Sequence, residues 1–149
     1  MIRRVKQSDI NKIQQFNRNE IDVAMELVNI SVNNQTQTDY NVFVYEFEGK
    51  VLGYHCTGKR PLTDAVYDLY WIIADPESEK KGIGTELVKH AEQFVMEQRA
   101  RWLLAETSSR ESYSRTRNFY LRNNFSIVAE INDFYSVGDN LIVFGKYFK

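Results

Sequence analysis

The chain has little cysteine, little charge of either sign in excess and no long apolar run, and each shortage removes a class of protein. A single cysteine, Cys56, excludes an internal disulfide framework. Asp and Glu total 20 against 19 Lys and Arg, a balance that argues against a general nucleic-acid binder. No stretch has the length and apolarity of a membrane span. The run Met1-Ile2-Arg3-Arg4-Val5 lacks the apolar region of a signal peptide, so a cytoplasmic location is expected. No repeat, low-complexity tract or linker interrupts the chain; Asn33 to Asp39 is polar but short.

What is present is enough for one domain. A chain of 149 residues can bury roughly 68–70% of its unfolded surface, and 1–149 is read as a single unit. The 9 Tyr, 9 Phe and 2 Trp can furnish a core or an apolar cleft. Ile2 to Val5 reads as a strand. Ser8 can cap a helix that carries Ile10, Ile13 and Phe16 on one side. Glu20 to Ile30 reads as a second helix with Ile21, Ala24, Met25 and Val28 as its stripe. Asn41 to Glu48 is β-branched and aromatic on both faces, which predicts a covered strand. Glu48-Gly49 turns it into Val51 to Thr57. Gly58 to Asp64 reads as a loop and Val66 to Ala74 as the most apolar strand.

The period then changes. Leu87, Val88, Ala91, Phe94 and Val95 follow helical spacing, and Trp102 to Thr107 is again a strand. Strand, helix, strand makes a right-handed crossover between parallel strands. Ser112 to Arg122 predicts another helix, and Phe125 to Ile131 with Leu141 to Phe148 a final antiparallel pair, the apolar last strand being either core or an edge open to a second copy. The expected order is β-α-α-β-β-β-α-β-α-β-β, a mixed α/β fold with helices on the faces of the sheet.

The sharpest local feature is Lys80-Lys81-Gly82-Ile83-Gly84-Thr85, between a strand and a helix. Free N–H groups at a helix start and the helix dipole favour an anion there. Glycines let the backbone approach a phosphate, and the lysines add positive charge. A bare Gly-x-Gly also occurs by chance in chains of this size. The third glycine of a dinucleotide fingerprint is missing, as is the Lys-Ser/Thr of a Walker loop.

The longer run from Asp75-Pro76 through Gly82-Ile83-Gly84-Thr85 to Leu87 resembles the acetyl-coenzyme A motif of the GNAT acetyltransferase superfamily. Ala74 stands where that motif ends its strand, and Glu79 replaces its usual Arg or Gln. Arg117-Asn118-Phe119-Tyr120-Leu121-Arg122-Asn123-Asn124-Phe125 resembles the family's helix ending in Phe/Leu-Tyr-x-x-x-Gly-Phe, with Asn124 in the glycine position. Glu106-Thr107-Ser108-Ser109, Tyr113, Thr116-Arg117 and Asp133-Phe134-Tyr135 with Gly138-Asp139 are similar to one branch of the family. The likeness therefore spans nearly the whole chain.

The resemblance implies a sheet whose two central parallel strands splay, with acetyl-CoA as cosubstrate. Pantetheine would lie along Ile72, Ile73 and Ala74. The pyrophosphate would rest on Lys80, Lys81, Gly82, Ile83, Gly84 and Thr85, and Thr116, Phe119 and Arg122 would complete the cofactor side. An amine would attack the thioester directly. Tyr120 matches the family's acid position; as a plain reading it is an aromatic packed on the sheet. Asp68 lies six residues before Ala74, matching the position of a catalytic glutamate, and is expected to share a face with residues 70, 72 and 74 by strand alternation. Glu106, on the neighbouring strand, is the rival base; either acid can instead orient a loop. Tyr113 and Tyr135 either line the acceptor pocket or pack. Asp133 and Asp139 read as turn residues. His55 and Cys56 point to opposite faces, His90 reads as solvated, and no metal is expected. The acceptor would be a small-molecule or peptide amine, with no nucleic-acid or membrane partner, for a monomer or homodimer. A CoA-binding regulatory module without turnover is the competing function.

Overall fold

A computed structural model of the chain describes residues 1–16 and 40–149. The helix expected over Glu20 to Ile30 and the polar stretch Asn33 to Asp39 lie outside the described residues. Strand β1 (Ile2–Arg4) leads into a 3-10 turn (Gln7–Asp9) and helix α1 (Ile10–Phe16). Strands β2 (Tyr40–Phe47), β3 (Lys50–Lys59) and β4 (Val66–Ala74) follow, then α2 (Ile83–Glu97) and β5 (Trp102–Ser108). A 3-10 turn (Glu111–Tyr113) starts α3 (Ser114–Arg122), and the hairpin β6 (Ser126–Ser136) and β7 (Asp139–Tyr147) closes the chain.

One seven-stranded sheet runs β1-β2-β3-β4-β5-β7-β6. Its pairs are antiparallel except β4 with β5, which are parallel. The mixed α/β order expected from periodicity is present across the described residues. Glu48 and Gly49 carry φ of 51° and 77°, the doubly left-handed backbone of a two-residue hairpin turn.

The faces follow from the alternating buried residues. On one face Val88, Ala91 and Val95 of α2 and Tyr120 of α3 pack with Leu69, Leu103, Ala105, Ile142 and Phe144 of the sheet. On the other, Ile13 and Phe16 of α1 pack on Val42, Val44, Tyr54 and Cys56. β2 buries both faces, as its continuous apolar run implies. The apolar β7 sits inside the sheet between β5 and β6, which resolves the core-or-edge question for that strand. β6 is the edge, and every residue of it is exposed.

Two local expectations change. The start of the first helical stretch is held by Asp9 and not by Ser8: the Asp9 carboxylate accepts the Lys6 backbone N–H at 2.7 Å and is buried against Arg3. The alternation of β4 also breaks. Cys56 pairs with Trp71 but Thr57 with Leu69, so Tyr70 is an extra residue, a β-bulge. Leu69 and Ile72 therefore face α2, while Tyr70, Trp71 and Ile73 face α1. Asp68 does not share a face with Ile72 and Ala74.

Candidate active site

The site begins where the two parallel strands part. β4 and β5 pair at Val66 with Trp102, Tyr67 with Leu103 and Asp68 with Leu104, and there the ladder stops. β4 continues to Ala74 and β5 to Ser108, so both strands run on unpaired with one another. The bulge at Tyr70 falls just past this point and re-aims β4.

A cleft of about 530 Å³ opens beside the parted strands. Ile72 and Ala74 of β4 form one wall, Gly82, Gly84 and Thr85 at the start of α2 a second, and Arg115, Thr116, Asn118, Phe119 and Arg122 of α3 the third. Gly82 precedes α2 with φ of 82°, a left-handed conformation that penalises a side chain. The case at Gly84 is one of space. A Cβ there would stand 3.0 Å from Phe119 Cε2 and 3.2 Å from its Cζ, so the glycine allows α2 and α3 to approach.

The positive charge at this cleft comes from a different place than the lysine run implied. Lys80 lies over the Phe47 ring, 4.3 Å from its centroid, and Lys81 is exposed; neither lines the cleft. Arg115 and Arg122, about two turns apart on α3, do line it. Neither takes a hydrogen bond or ion pair among the described residues. Of the remaining expected cofactor residues, Ile83 is a core residue packed with Tyr45 and Leu87, and Ile73 faces α1. Any part they take in the cleft is through the backbone. Arg115 and Asn118 escaped the sequence reading because they sit outside the motif's fixed letters.

Tyr120 is buried in the core on the same face as this cleft. Its ring centroid is 5.3 Å from that of Phe125 and 5.4 Å from that of Phe144. Burial raises its phenol pKa above the usual value, which keeps the proton on oxygen. The helix that carries it ends as the motif implied: Asn124 adopts φ of 68°, and the Phe125 N–H returns to the Tyr120 carbonyl at 3.0 Å.

The two carboxylates lie on the opposite face. Leu103 and Ala105 face the helices α2 and α3, so Glu106 between its neighbours faces away from them. Arg60 of the β3–β4 loop joins both acids. Its Nε–H donates to Asp68 Oδ1 at 3.0 Å and Oδ2 at 3.1 Å. Its terminal nitrogen lies 2.8 Å from Asp68 Oδ1 and 2.7 Å from Glu106 Oε1. Asp68 is buried, and that burial raises its pKa despite the guanidinium and the Tyr70 hydroxyl, which both pull it down. Tyr70 in turn stacks tilted against Tyr40 at 5.4 Å.

Other expected residues fall elsewhere. Tyr113 and Tyr135 are exposed and neither lines the cleft; Tyr135 packs edge-on against Phe134 at 5.0 Å. Asp139 is buried, accepts from Ser108 and pairs with Arg110 at 3.0 Å, while Asp133 caps its own turn by accepting the Gly138 N–H. His90 is not simply solvated: its Nδ1 lies 3.0 Å from Nε2 of the fully buried His55. Among the described residues no group of three or more His, Cys, Asp and Glu is placed to hold a metal ion. None of the described helices is long and apolar enough to cross a membrane.

Residues 38–127 match the family model described as acetyltransferase (GNAT) domain. The chain belongs to the GNAT acetyltransferase family. A GNAT-family structure from Desulfovibrio desulfuricans is 32% identical, with a TM-score of 0.92 over 99% of this chain and 98% of that one. An Enterococcus faecium aminoglycoside 6'-N-acetyltransferase shares the fold at 14% identity, with a TM-score of 0.77 over 99% of this chain and 96% of that one. YncA from Salmonella typhimurium, solved with its cofactor acetyl-CoA, does so at 15% identity, with a TM-score of 0.76 over 100% and 94% of the two chains. No curated protein matches the chain by sequence.

Proposed function

We propose that this GNAT protein is an N-acetyltransferase that moves the acetyl group of acetyl-CoA directly to an amine. The observation that carries the reading is the parting of β4 and β5 at Asp68 and Leu104, beside a glycine-lined helix start. Parted strands offer backbone groups that no neighbouring strand uses, suited to an extended pantetheine arm. The residues present fit acetyl-CoA: Gly84 lets α3 pack close to the start of α2 so that both wall the cleft, and Arg115 and Arg122 supply unpaired cations for its phosphates.

The chemistry asks three things of the chain. A backbone N–H of the parted β4 stabilises the oxyanion of the tetrahedral intermediate. Tyr120, held protonated by burial, donates to the departing thiolate. A carboxylate on the other face, Asp68 or Glu106, takes the proton of the incoming amine. The gap between the strands connects the two faces, so cosubstrate and acceptor approach from opposite sides. Two acids against one guanidinium leave a net negative patch, which favours a cationic acceptor, either a small molecule or a peptide amine. We infer a cytoplasmic enzyme of one domain.

The packing of the Tyr120 ring in the core favours the alternative of a CoA-binding module without turnover. Thiol release from acetyl-CoA across a panel of amines decides between them. Acetyl-CoA is also expected to raise the melting temperature, since a ligand bound by the folded state alone stabilises it. Gly82→Val should remove most of that rise by placing a branched side chain at the phosphate approach. A normal rise in the folded variant would overturn the assigned phosphate site.

A further inference from the structure

Nothing in the family motifs assigns a task to Arg60, yet its guanidinium bridges an acid of β4 and an acid of β5 across the gap between these strands. Its backbone is held firmly. The Arg60 N–H donates to the Val66 carbonyl at 2.8 Å, and its carbonyl accepts the Thr63 hydroxyl at 2.7 Å. The guanidinium therefore leaves a fixed point, at the level where the parallel ladder ends, and reaches both acids.

Its two contacts are unequal. Asp68 is buried, and both its oxygens accept from Arg60, with the Tyr70 hydroxyl as a further donor. Such a carboxylate is fully engaged. Glu106 is half-exposed and gives only Oε1 to Arg60; Oε2 takes no partner among the described residues. We propose that Arg60 is a positioning residue for amine deprotonation: it locks Asp68 as an anchor and presents Glu106, through one oxygen, as the carboxylate that meets the acceptor. This deepens the acetyltransferase reading and rests on it.

In the step, the lone pair of the amine nitrogen forms the new C–N bond to the acetyl carbon. The C–S bond breaks with its electrons going to sulfur. The proton shed by nitrogen goes to Glu106 Oε2, and sulfur receives one from Tyr120. Both residues then return to their starting states by exchange with solvent. Among the described residues, the charged and titratable groups facing the acids are Arg60 from the β3–β4 loop and Tyr70 from β4, with Tyr40 of β2 behind Tyr70. Arg60 is thus the cation that opposes the effect of burial on Asp68.

The sign of the test follows. Removing a cation beside a carboxylate raises its pKa, so the rising acidic limb of kcat/KM moves to higher pH in Arg60→Gln. Turnover with a panel of a polyamine, an aminoglycoside and a lysine peptide should fall about 10²-fold, in kcat more than in the KM for acetyl-CoA. Arg60→Lys should restore part of the loss. Glu106→Gln should abolish the limb, whereas Asp68→Asn should shift it and leave it present. Carbon-detected carboxyl titration of wild type and Arg60→Gln gives a readout that needs no turnover. The Asp68 carboxyl should titrate higher in the variant. Unmoved carboxyl resonances overturn the bridge, and an unmoved limb or one abolished by Asp68→Asn alone overturns the assignment of Glu106. Wild type that releases no thiol with any amine, with the carboxyl shift present, overturns the acetyltransferase reading and with it the catalytic use of the bridge.

Discussion

Two buried side chains in this molecule, Tyr120 and His55, take their protonation state from burial. Burial holds the Tyr120 proton on its oxygen and makes the phenol a weaker acid, so its use as a donor to a thiolate rests on position. Tyr120→Phe should therefore leave acetyl-CoA affinity nearly intact and lower kcat by about 10²–10⁴-fold, measured by thiol release. Equal turnover in the variant would make the ring a packing element alone. His55 shows the same dominance of burial. It is fully enclosed, and desolvation with the neighbouring His90 lowers its pKa to about 3. The unfolded chain takes up a proton near the ordinary histidine value while the folded chain does not. Stability is consequently whole above pH ~6.5 and declines as pH falls towards ~3, by about 2 kcal/mol at pH 5. Chemical denaturation at pH 7.5 and pH 5 should show this decline, and His55→Gln should flatten it. The sequence shows His55 and Cys56 on opposite faces by simple alternation. It does not show His90 reaching His55, because that contact joins a helix to a strand 35 residues away.

At the scale of elements, the glycines at the start of α2 and in β3 set distances. A Cβ on Gly53 would lie 2.8 Å from the Ile73 carbonyl oxygen and 3.1 Å from Ile83 and Leu87. Gly53→Ala should cost about 1–3 kcal/mol through overpacking, and at this chain length lower the melting temperature by roughly 2–4 °C per kcal/mol. A scanning-calorimetry trace unchanged from wild type would contradict the β3–β4–α2 seam described here. α3 is expected to act as the cationic wall of the cleft. Arg115→Ala with Arg122→Ala should weaken acetyl-CoA by at least about 10-fold, with a reduced salt dependence, while the fold tolerates the change because both side chains are exposed. What periodicity and turn chemistry carry was readable beforehand: the bounds of β4, the Glu48-Gly49 hairpin, the left-handed Asn124. The bulge at Tyr70 was not, because residues 69–74 are apolar throughout and a slip of one leaves no mark in such a run. Arg60 was invisible for another reason. It lies on a loop, and its meaning depends on Glu106, 46 residues away.

Taken whole, the molecule is unevenly knit. β2, β3, β4, β5 and β7 have strands on both sides, whereas β6 is an edge exposed along its length. Hydrogen exchange should release β6 amides first and those of β3 last. The seam between β4 and β5 has its own consequence. Three register pairs are all the ladder that joins the leaf β1–β4 to the leaf β5–β7. The chain is like a book bound along part of its spine, with α2 and the Arg60 clasp holding the covers. A molecule laid in the open part supplies the missing binding. Amides of Ile72 to Ala74 should then exchange more slowly with acetyl-CoA present, and the two leaves should melt as one object more sharply with it than without.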